Sequence, residues 1–152
     1  MDWSKIFEYK DGKLFRKFSN NQHKHVGWIN SSGYLQCEVN GVAFMLHRII
    51  WELHNGEIPA GLQIDHIDIN PLNNRIENLR LATQNQNQIN SKKPKNNTTG
   101  YKGVLTTPSG KFQARLGYNG KKLYLGLFNT AEEAAECVAA ETRRLYGEFT
   151  PS

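Results

Sequence analysis

Alternating hydrophobic and polar positions predict two β-hairpins in the first third of the chain. The segments "FEYK-DG-KLFRK" and "YLQCEV-NG-VAFML" each place strand-forming residues around a two-residue turn that tolerates positive φ. The next segment, "MLHRIIWELHNG", instead carries apolar residues at helical spacing and ends at Asn55-Gly56. We therefore expect a short amphipathic helix that covers the hairpins.

The middle of the chain predicts a strand, a loop, a second strand and a helix. A short apolar piece, "LQID", leads to Asp65-His66, and "NLRLAT" follows an asparagine-rich loop. Thr83 fits an N-cap for a helix over "QNQNQINS". The next stretch, "NSKKPKNNTTG", is polar, basic and broken by Pro94, which is typical of a linker.

The last third predicts a three-stranded antiparallel sheet followed by one helix. "YKGVLTT", "KFQARLGY" and "KLYLGLF" are strand candidates joined by "PSG" and "NG" turns. Alternation places Phe112, Ala114, Leu116 and Tyr118 on one face and Lys111, Gln113 and Arg115 on the other. Thr130 and Glu133 form a capping box for a helix with an alanine-rich face, which suits close packing on a sheet. The other side of the sheet is then left available for binding.

Length and composition place the chain among soluble globular proteins. Its 152 residues fit one ordinary domain or two small ones, and 38% of them are hydrophobic. The longest apolar runs are far shorter than a membrane span, and the first residues lack a signal-peptide pattern, so we expect a cytoplasmic protein, in a bacterial or phage-infected host cell. Cys37 and Cys137 have no neighbouring cysteine, which favours two free thiols over a disulfide or a thiolate zinc site.

The net charge of +5 is concentrated in one segment. From Asn78 through Thr130 there is no Asp or Glu, whereas nine Lys and Arg residues occur there. These charges alternate with aromatic residues on predicted strands rather than forming a simple tail. A polyanion, most simply nucleic acid, is the partner that this pattern favours.

Asp65 and His66 suggest phosphodiester hydrolysis. A carboxylate is a hard oxygen ligand for a cation, and an imidazole is a base that titrates near neutrality. Hydrolysis of a phosphodiester uses both functions, one to offset charge and one to activate water. The predicted helix that follows carries no carboxylate, so a second ligand from it would be an amide oxygen of Asn85, Asn87 or Asn90.

The segment from His47 to Asn87, about 41 residues, resembles the HNH homing-endonuclease family. The resemblance is carried by "HRIIWELHNGEIPAGLQIDHIDINPLNNRIENLRLATQNQN". It implies a ββα-metal core over about residues 62–90, with His66 as general base and Asp65 and Asn87 as metal ligands. Asn78 would brace the loop between the strands. Asn87 stands where many family members carry His, which implies magnesium or manganese rather than zinc.

The segment from Thr99 to Phe149 resembles the Apetala-two/ethylene-response-factor DNA-binding domain. Its "YKGV" opening, "YLGLFNTAEEAAE" centre and "LYGEF" close are the diagnostic parts. That family reads the major groove with a three-stranded sheet backed by a helix. Leu105 stands where plant relatives usually carry Arg, so their base preference cannot be transferred to this chain.

Both resemblances together imply a set of DNA contacts. In the nuclease part, Asn73, Asn74 and Arg75 would shape the loop or touch backbone phosphates. The residues expected to contact DNA are Arg48, Arg75, Arg80, Lys92, Lys93, Lys102, Lys111, Arg115, Lys122 and Tyr124.

The sequence as a whole predicts an α+β protein with an HNH endonuclease domain at 1–90, a basic linker at 91–99 and a DNA-binding domain at 100–152. The expected function is metal-dependent, site-directed endonuclease activity on double-stranded DNA. A monomer would nick, and a double-strand cut would need a homodimer or two sequential events. The alternatives are a DNA-binding regulator or architectural protein with an inactive nuclease unit, and a structural or RNA-binding protein.

Overall fold

The computed structural model describes residues 1–149 and divides into two compact units, Met1–Thr83 and Gln84–Ser152. This division falls before the helix that the sequence analysis assigned to the nuclease domain. The functional limits 1–90, 91–99 and 100–152 therefore stay a prediction, and residues 150–152 lie outside the described part. None of the helices within residues 1–149 is long and apolar enough to cross a membrane.

The first unit begins with two small antiparallel sheets. Each contains one of the predicted hairpins and a further strand. The first consists of β1 (Phe7–Lys10), β2 (Lys13–Lys17) and β3 (His23–Val26), and the second of β4 (Trp28–Ile29), β5 (Leu35–Val39) and β6 (Val42–Met45). In both hairpin turns the Asp-Gly or Asn-Gly pair has positive φ, as the sequence predicted. Strands β3 and β4 were not predicted.

Helix α1 (Leu46–Asn55) follows β6 and closes the core of this unit. It ends at Gly56, whose φ of 80° is accessible to glycine at little cost. Of the apolar positions that the helical spacing predicted, Leu46, Ile49 and Ile50 are buried, and Leu53 is partly buried against the core. The core consists of Trp3, Phe7, Leu14, Cys37, Val39, Leu46, Ile49, Ile50, Ile64 and Leu79.

The predicted strand pair in the middle of the chain is present as β7 (Gln63–His66) and β8 (Leu79–Ala82). The strands are antiparallel, with Asp65 opposite Arg80 and His66 opposite Leu79. The loop between them includes a 3-10 turn over Ile76–Asn78. Ile64 and Leu79 point into the core, and this packing fixes the strand ends that carry Asp65 and His66.

The second unit contains the short helix α2 (Gln84–Ile89) and a three-stranded antiparallel sheet with one long helix. The strands are β9 (Val104–Thr106), β10 (Phe112–Tyr118) and β11 (Lys121–Phe128), with β10 in the centre, and the helix is α3 (Ala131–Tyr146). Both halves of the predicted capping box are made at the start of α3.

The core of the second unit lies between one face of the sheet and α3. Val104, Ala114, Ala134 and Val138 are buried there, with Phe112 and Phe128 packed against them. Small side chains on both sides let the helix lie close to the sheet. The predicted alternation along β10 is observed, because Ala114 and Leu116 are buried whereas Gln113 and Arg115 are partly exposed.

Candidate active site and nucleic-acid interface

His66 ends strand β7 in a buried position, with 6% of its surface exposed. Its Nε2 lies 2.8 Å from Oδ1 of Asn74, which is itself buried. An amide oxygen can only accept a hydrogen bond, so Nε2–H is the donor, and in the neutral ring Nδ1 keeps its lone pair. The contact therefore fixes the tautomer in which Nδ1 can act as a base.

Asp65 precedes His66 and is also buried, at 3% exposure. Its Oδ2 accepts a hydrogen bond of 2.8 Å from Nε of Arg80, the residue opposite it on β8. The pair is largely removed from solvent, which strengthens the attraction between the two charges. The Asp65 carboxylate is thus held in place by its strand neighbour, and its role as a metal ligand stays a prediction.

The loop between β7 and β8 is closed by Asn78. Its Nδ2 donates to Asp68 Oδ1 at 2.9 Å and to the carbonyl of Asn73 at 2.8 Å, and its Oδ1 accepts from the Asp68 N–H at 3.0 Å. Its carbonyl also accepts from the N–H of Ile67, the residue after His66. These bonds connect the two ends of the loop, and the bracing role that the resemblance implies for Asn78 stays a prediction.

Asp68 serves as an acceptor at the centre of this loop. Burial raises the pKa of its carboxyl, but hydrogen bonds from Asn73, Asn70 and Asn78 outweigh this and lower the pKa below its ordinary value. The carboxylate is therefore ionised at neutral pH, and it ties three of the loop's asparagines together.

His47, at the start of α1, packs beside His66. The two rings meet edge to face with centroids 5.2 Å apart, and Tyr34 lies 5.6 Å from His47 and 6.0 Å from His66. Burial, followed by the charges of His66 and Arg48, lowers the pKa of His47 to about 3. The imidazole of His47 is therefore neutral at physiological pH and packs against the ring of His66.

Two polar atoms in this region are buried without a hydrogen-bond partner among residues 1–149, namely His47 Nδ1 and Asn74 Nδ2. Both belong to side chains that touch His66. An unpaired buried polar group normally costs stability unless water or a ligand satisfies it. Both atoms therefore lie next to the candidate base, one on α1 and one in the loop.

The residues proposed as metal ligands carry oxygen donors, the type that a hard divalent cation prefers. Within the described part of the chain there is no cluster of three or more His, Cys, Asp or Glu side chains that could hold a metal ion. Asp65 offers a carboxylate, and Asn87 lies half-buried on α2 together with Asn85, while Asn90 is buried just after the helix. The choice among these asparagines as a second ligand stays a prediction.

Several predicted DNA contacts are exposed, as such contacts must be. In the first unit these are Arg48 and Arg75, and in the second unit Lys92, Lys93, Lys111 and Lys122. Tyr124 is 59% exposed and lies beside Arg115 on the open face of the sheet. The assignment of all these residues to DNA stays a prediction.

Arg80 and Lys102 have intramolecular roles that the sequence did not suggest. Arg80 holds Asp65, and the ammonium of Lys102 donates to the carbonyls of Gln88, Ile89 and Ser91 at 2.6–3.0 Å. Lys102 therefore binds the carbonyl end of α2, where a cation also meets the negative end of the helix dipole. Burial lowers its pKa.

Sequence reasoning missed the positions of Asn74, His47 and Tyr34 around His66. The sequence predicts the same loop or phosphate role for Asn73 and Asn74, although only Asn74 is buried against the imidazole. The adjacent asparagines have the same chemistry, so spacing alone does not show which one faces inward. His47 is the first residue of the segment that resembles the HNH family, and this position is the one feature of the sequence that could have indicated its place near His66.

A buried carboxylate and an oriented imidazole thus lie together at the end of a two-stranded antiparallel sheet, an arrangement that suits hydrolysis. The sequence profile described as "HNH endonuclease" matches residues 44–89, which contain these two residues, their loop and α2. The chain therefore carries an HNH endonuclease domain, and this part of the sequence prediction is confirmed.

The chain is also similar to phage and viral proteins. It is 55% identical to Protein 3.8 of Escherichia phage T7 over 58 residues, which are 38% of this chain and 48% of that protein. It is 35% identical to an uncharacterized HNH endonuclease of Acanthamoeba polyphaga mimivirus over 127 residues, which are 83% of this chain and 65% of the relative. The chain thus spans less than two thirds of the length of either relative.

Among solved structures, one of DNA binding and cleavage by the HNH homing endonuclease I-HmuI aligns with a TM-score of 0.45 and 20% identity. The alignment covers 86% of this chain and 76% of that one.

Proposed function

We propose that this protein is a metal-dependent, site-directed DNA endonuclease that hydrolyses phosphodiester bonds. The observation that carries the proposal is the buried imidazole of His66, which is held by a hydrogen bond to Asn74 and directly follows the buried carboxylate of Asp65 in sequence. The profile match over the same residues supports this assignment.

In the proposed reaction His66 acts as general base. Its Nδ1 accepts a proton from water, the resulting hydroxide forms a bond to phosphorus, and one P–O bond of the backbone breaks. The departing oxygen takes up a proton, so that a phosphate monoester and a hydroxyl are the products. Asn74 holds the imidazole, and Asn78 holds the loop that carries Asn74.

HNH nucleases generally use a divalent metal. Asp65 and Asn87 would hold it in this chain, and the oxygen character of both ligands favours magnesium or manganese. The ion would supply charge compensation at the scissile phosphate.

The second unit is proposed to bind duplex DNA through its sheet, as the resemblance to the Apetala-two/ethylene-response-factor domain implies. The sheet has one face covered by α3, and the segment from Asn78 through Thr130 carries no acidic residue. A DNA-binding module of this kind would bring the nuclease to its site.

The test is a plasmid-nicking assay with supercoiled DNA and either magnesium, manganese or a chelator. Wild-type protein is expected to form nicked or linear DNA only with a metal present, whereas His66→Ala loses activity by about 10²- to 10⁴-fold. His25→Ala, which alters an exposed histidine of β3, is the matched control and should retain activity.

If wild-type and His66→Ala proteins are equally inert with every divalent metal and with DNA of the host replicon, the endonuclease proposal fails. Duplex binding without cleavage would then support the alternative, a DNA-binding protein with an inactive nuclease unit. Mapping the cut ends on the same DNA would distinguish nicking from double-strand cleavage.

A further inference from the structure

The open face of the sheet in the second unit carries a row of three side chains that crosses all three strands. Gln113 on β10 is paired with Leu105 on β9 and with Leu127 on β11. Directly paired residues in an antiparallel sheet point to the same face. The two leucines are 46% and 51% exposed, although their neighbours in sequence, Val104 and Phe128, lie in the core.

Cationic and aromatic groups flank this row. The next pair along the strands is Arg115 with Tyr124, and Gly117 with Lys122 follows. The guanidinium of Arg115 donates to Oε1 of Gln113 at 3.3 Å, so that these two side chains share the face. This face thus has two leucines and one amide at its centre and positive charges beside them. Such a surface is complementary to a polyanion that carries apolar groups.

Thymine presents such a group in the major groove of duplex DNA. Its C5-methyl is contacted by apolar side chains, and the adenine paired with it is read by the amide of Asn or Gln. The row Leu105–Gln113–Leu127 spans two strand spacings, or about 10 Å, which is within the roughly 12 Å width of the groove. Leucines and an amide in one row therefore match the edge of A·T pairs.

We infer that this row, Leu105, Gln113 and Leu127, recognises thymine methyl groups of A·T pairs in the major groove. The inference rests on the proposed binding of duplex DNA by the second unit and adds the base chemistry that this face selects. Arg115 and Lys122 supply contacts to phosphates or neighbouring bases, and the leucines supply the preference for the methyl group.

The experiment compares binding of the full chain to two alternating polymers that differ only in this methyl group, poly(dA-dT) and poly(dA-dU). Competition is measured by fluorescence anisotropy with a chelator present, so that no DNA is cut. Wild-type protein is expected to bind the thymine polymer about three- to fivefold more tightly for each methyl group that it contacts.

The variant L105A/L127A should bind both polymers equally and match the affinity of wild-type protein for poly(dA-dU). Both leucines are exposed, so truncation leaves the core unchanged, and thermal unfolding checks this. Ile29→Ala, which removes a similarly exposed side chain from the first unit, should keep the wild-type preference.

Equal binding of wild-type protein to both polymers would overturn the inference while leaving DNA binding intact. A thymine preference that survives in L105A/L127A would also overturn it, because the methyl group would then be read elsewhere. Absence of binding to either polymer at low salt would refute the proposed DNA binding itself, and this inference with it.

Discussion

At the scale of single residues, Asn74 differs from the other asparagines of the loop between β7 and β8 by its contact with His66. Most asparagines between β7 and β8 are partly exposed and bond to Asp68 or to the backbone. Asn74 differs, because it is 1% exposed and its amide oxygen bonds to the imidazole. Its Nδ2 has no partner among residues 1–149, which costs stability, and its oxygen is the atom that orients the imidazole.

Replacement of Asn74 should therefore impair turnover more than DNA binding. We expect Asn74→Ala to lower kcat for plasmid nicking by about 10- to 100-fold, because the ring of His66 is no longer held in one tautomer. Asn74→Asp keeps an oxygen acceptor and should recover part of the activity. The control is Asn55→Ala, at the end of α1. Equal loss in both Asn74 variants would contradict a positioning role through the oxygen.

The buried neutral His47 predicts a pH dependence of stability. Its pKa is about 3 in the folded protein against 6.5 for an ordinary histidine, so protons bind preferentially to the unfolded chain. Stability is thus fully present above pH 6.5 and falls as the pH decreases toward 3. At about pH 5 this single group accounts for a loss of about 2 kcal/mol.

Chemical denaturation of wild-type and His47→Gln proteins across this pH range measures the effect. The wild-type free energy of unfolding should fall more steeply between pH 6.5 and pH 5 than that of His47→Gln, by about 2 kcal/mol. His66, Tyr34 and Arg48 are the groups around His47, and all three are unchanged in the variant. Parallel pH profiles for the two proteins would show that His47 is not held neutral by burial.

At the scale of elements, local turn chemistry explains most of what the sequence predicted. The Asp-Gly, Asn-Gly and Pro-Ser-Gly turns predicted hairpins that the structure contains, and the capping box located the start of α3. Strand β3 was missed because its sequence, "HKHV", is almost entirely exposed and shows no apolar alternation. Its position depends on pairing with β2, which single-sequence patterns do not report.

The site was predictable to a similar extent and for a similar reason. Asp65 and His66 are recognisable from sequence because they follow an apolar strand. The contacts of His66 with Asn74 and His47 join residues that are distant in sequence, and they depend on how the loop and α1 pack. Such tertiary contacts have no signature in local spacing.

The element scale also identifies Gly103 as a position where only glycine fits. Its φ is +75°, and a Cβ there would lie 2.3 Å from the carbonyl oxygen of Arg115. The Gly103 carbonyl in turn accepts from the N–H of Arg115 at 2.7 Å, which ties this turn to the central strand β10. A side chain would therefore have to separate two bonded backbone segments.

Gly103→Ala should destabilise the second unit by about 2–4 kcal/mol, through the clash and the strained backbone together. Gly110→Ala is the matched control, because Gly110 has φ +79° but no atom within 4 Å of the Cβ position. It should cost only about 1–2 kcal/mol, the backbone strain. Thermal unfolding measures both, and an equal shift in the two melting temperatures would rule out the clash.

At the scale of the whole molecule, the positive charge is concentrated in one segment of the chain. All the positive surplus of the chain falls between Asn78 and Thr130, whereas the remainder is net negative. Lys92, Lys93 and Lys95 lie exposed in the connection between α2 and β9. Neutralisation of DNA phosphates by such residues releases counterions. The slope of log K against log salt concentration should therefore be proportional to the number of phosphates neutralised.

Replacement of Lys92, Lys93 and Lys95 by glutamine should lower the slope of log K against log salt for duplex DNA by up to about 0.9 for each phosphate that the variant no longer neutralises. Replacement of Lys10, Lys13 and Lys24 in the first unit removes the same charge from exposed positions and is the control. If the segment from Asn78 through Thr130 forms the DNA-binding surface, only the first variant changes the slope. Titrations at four or more salt concentrations measure both slopes. Equal changes in the two variants would indicate that net charge, rather than this segment, governs binding.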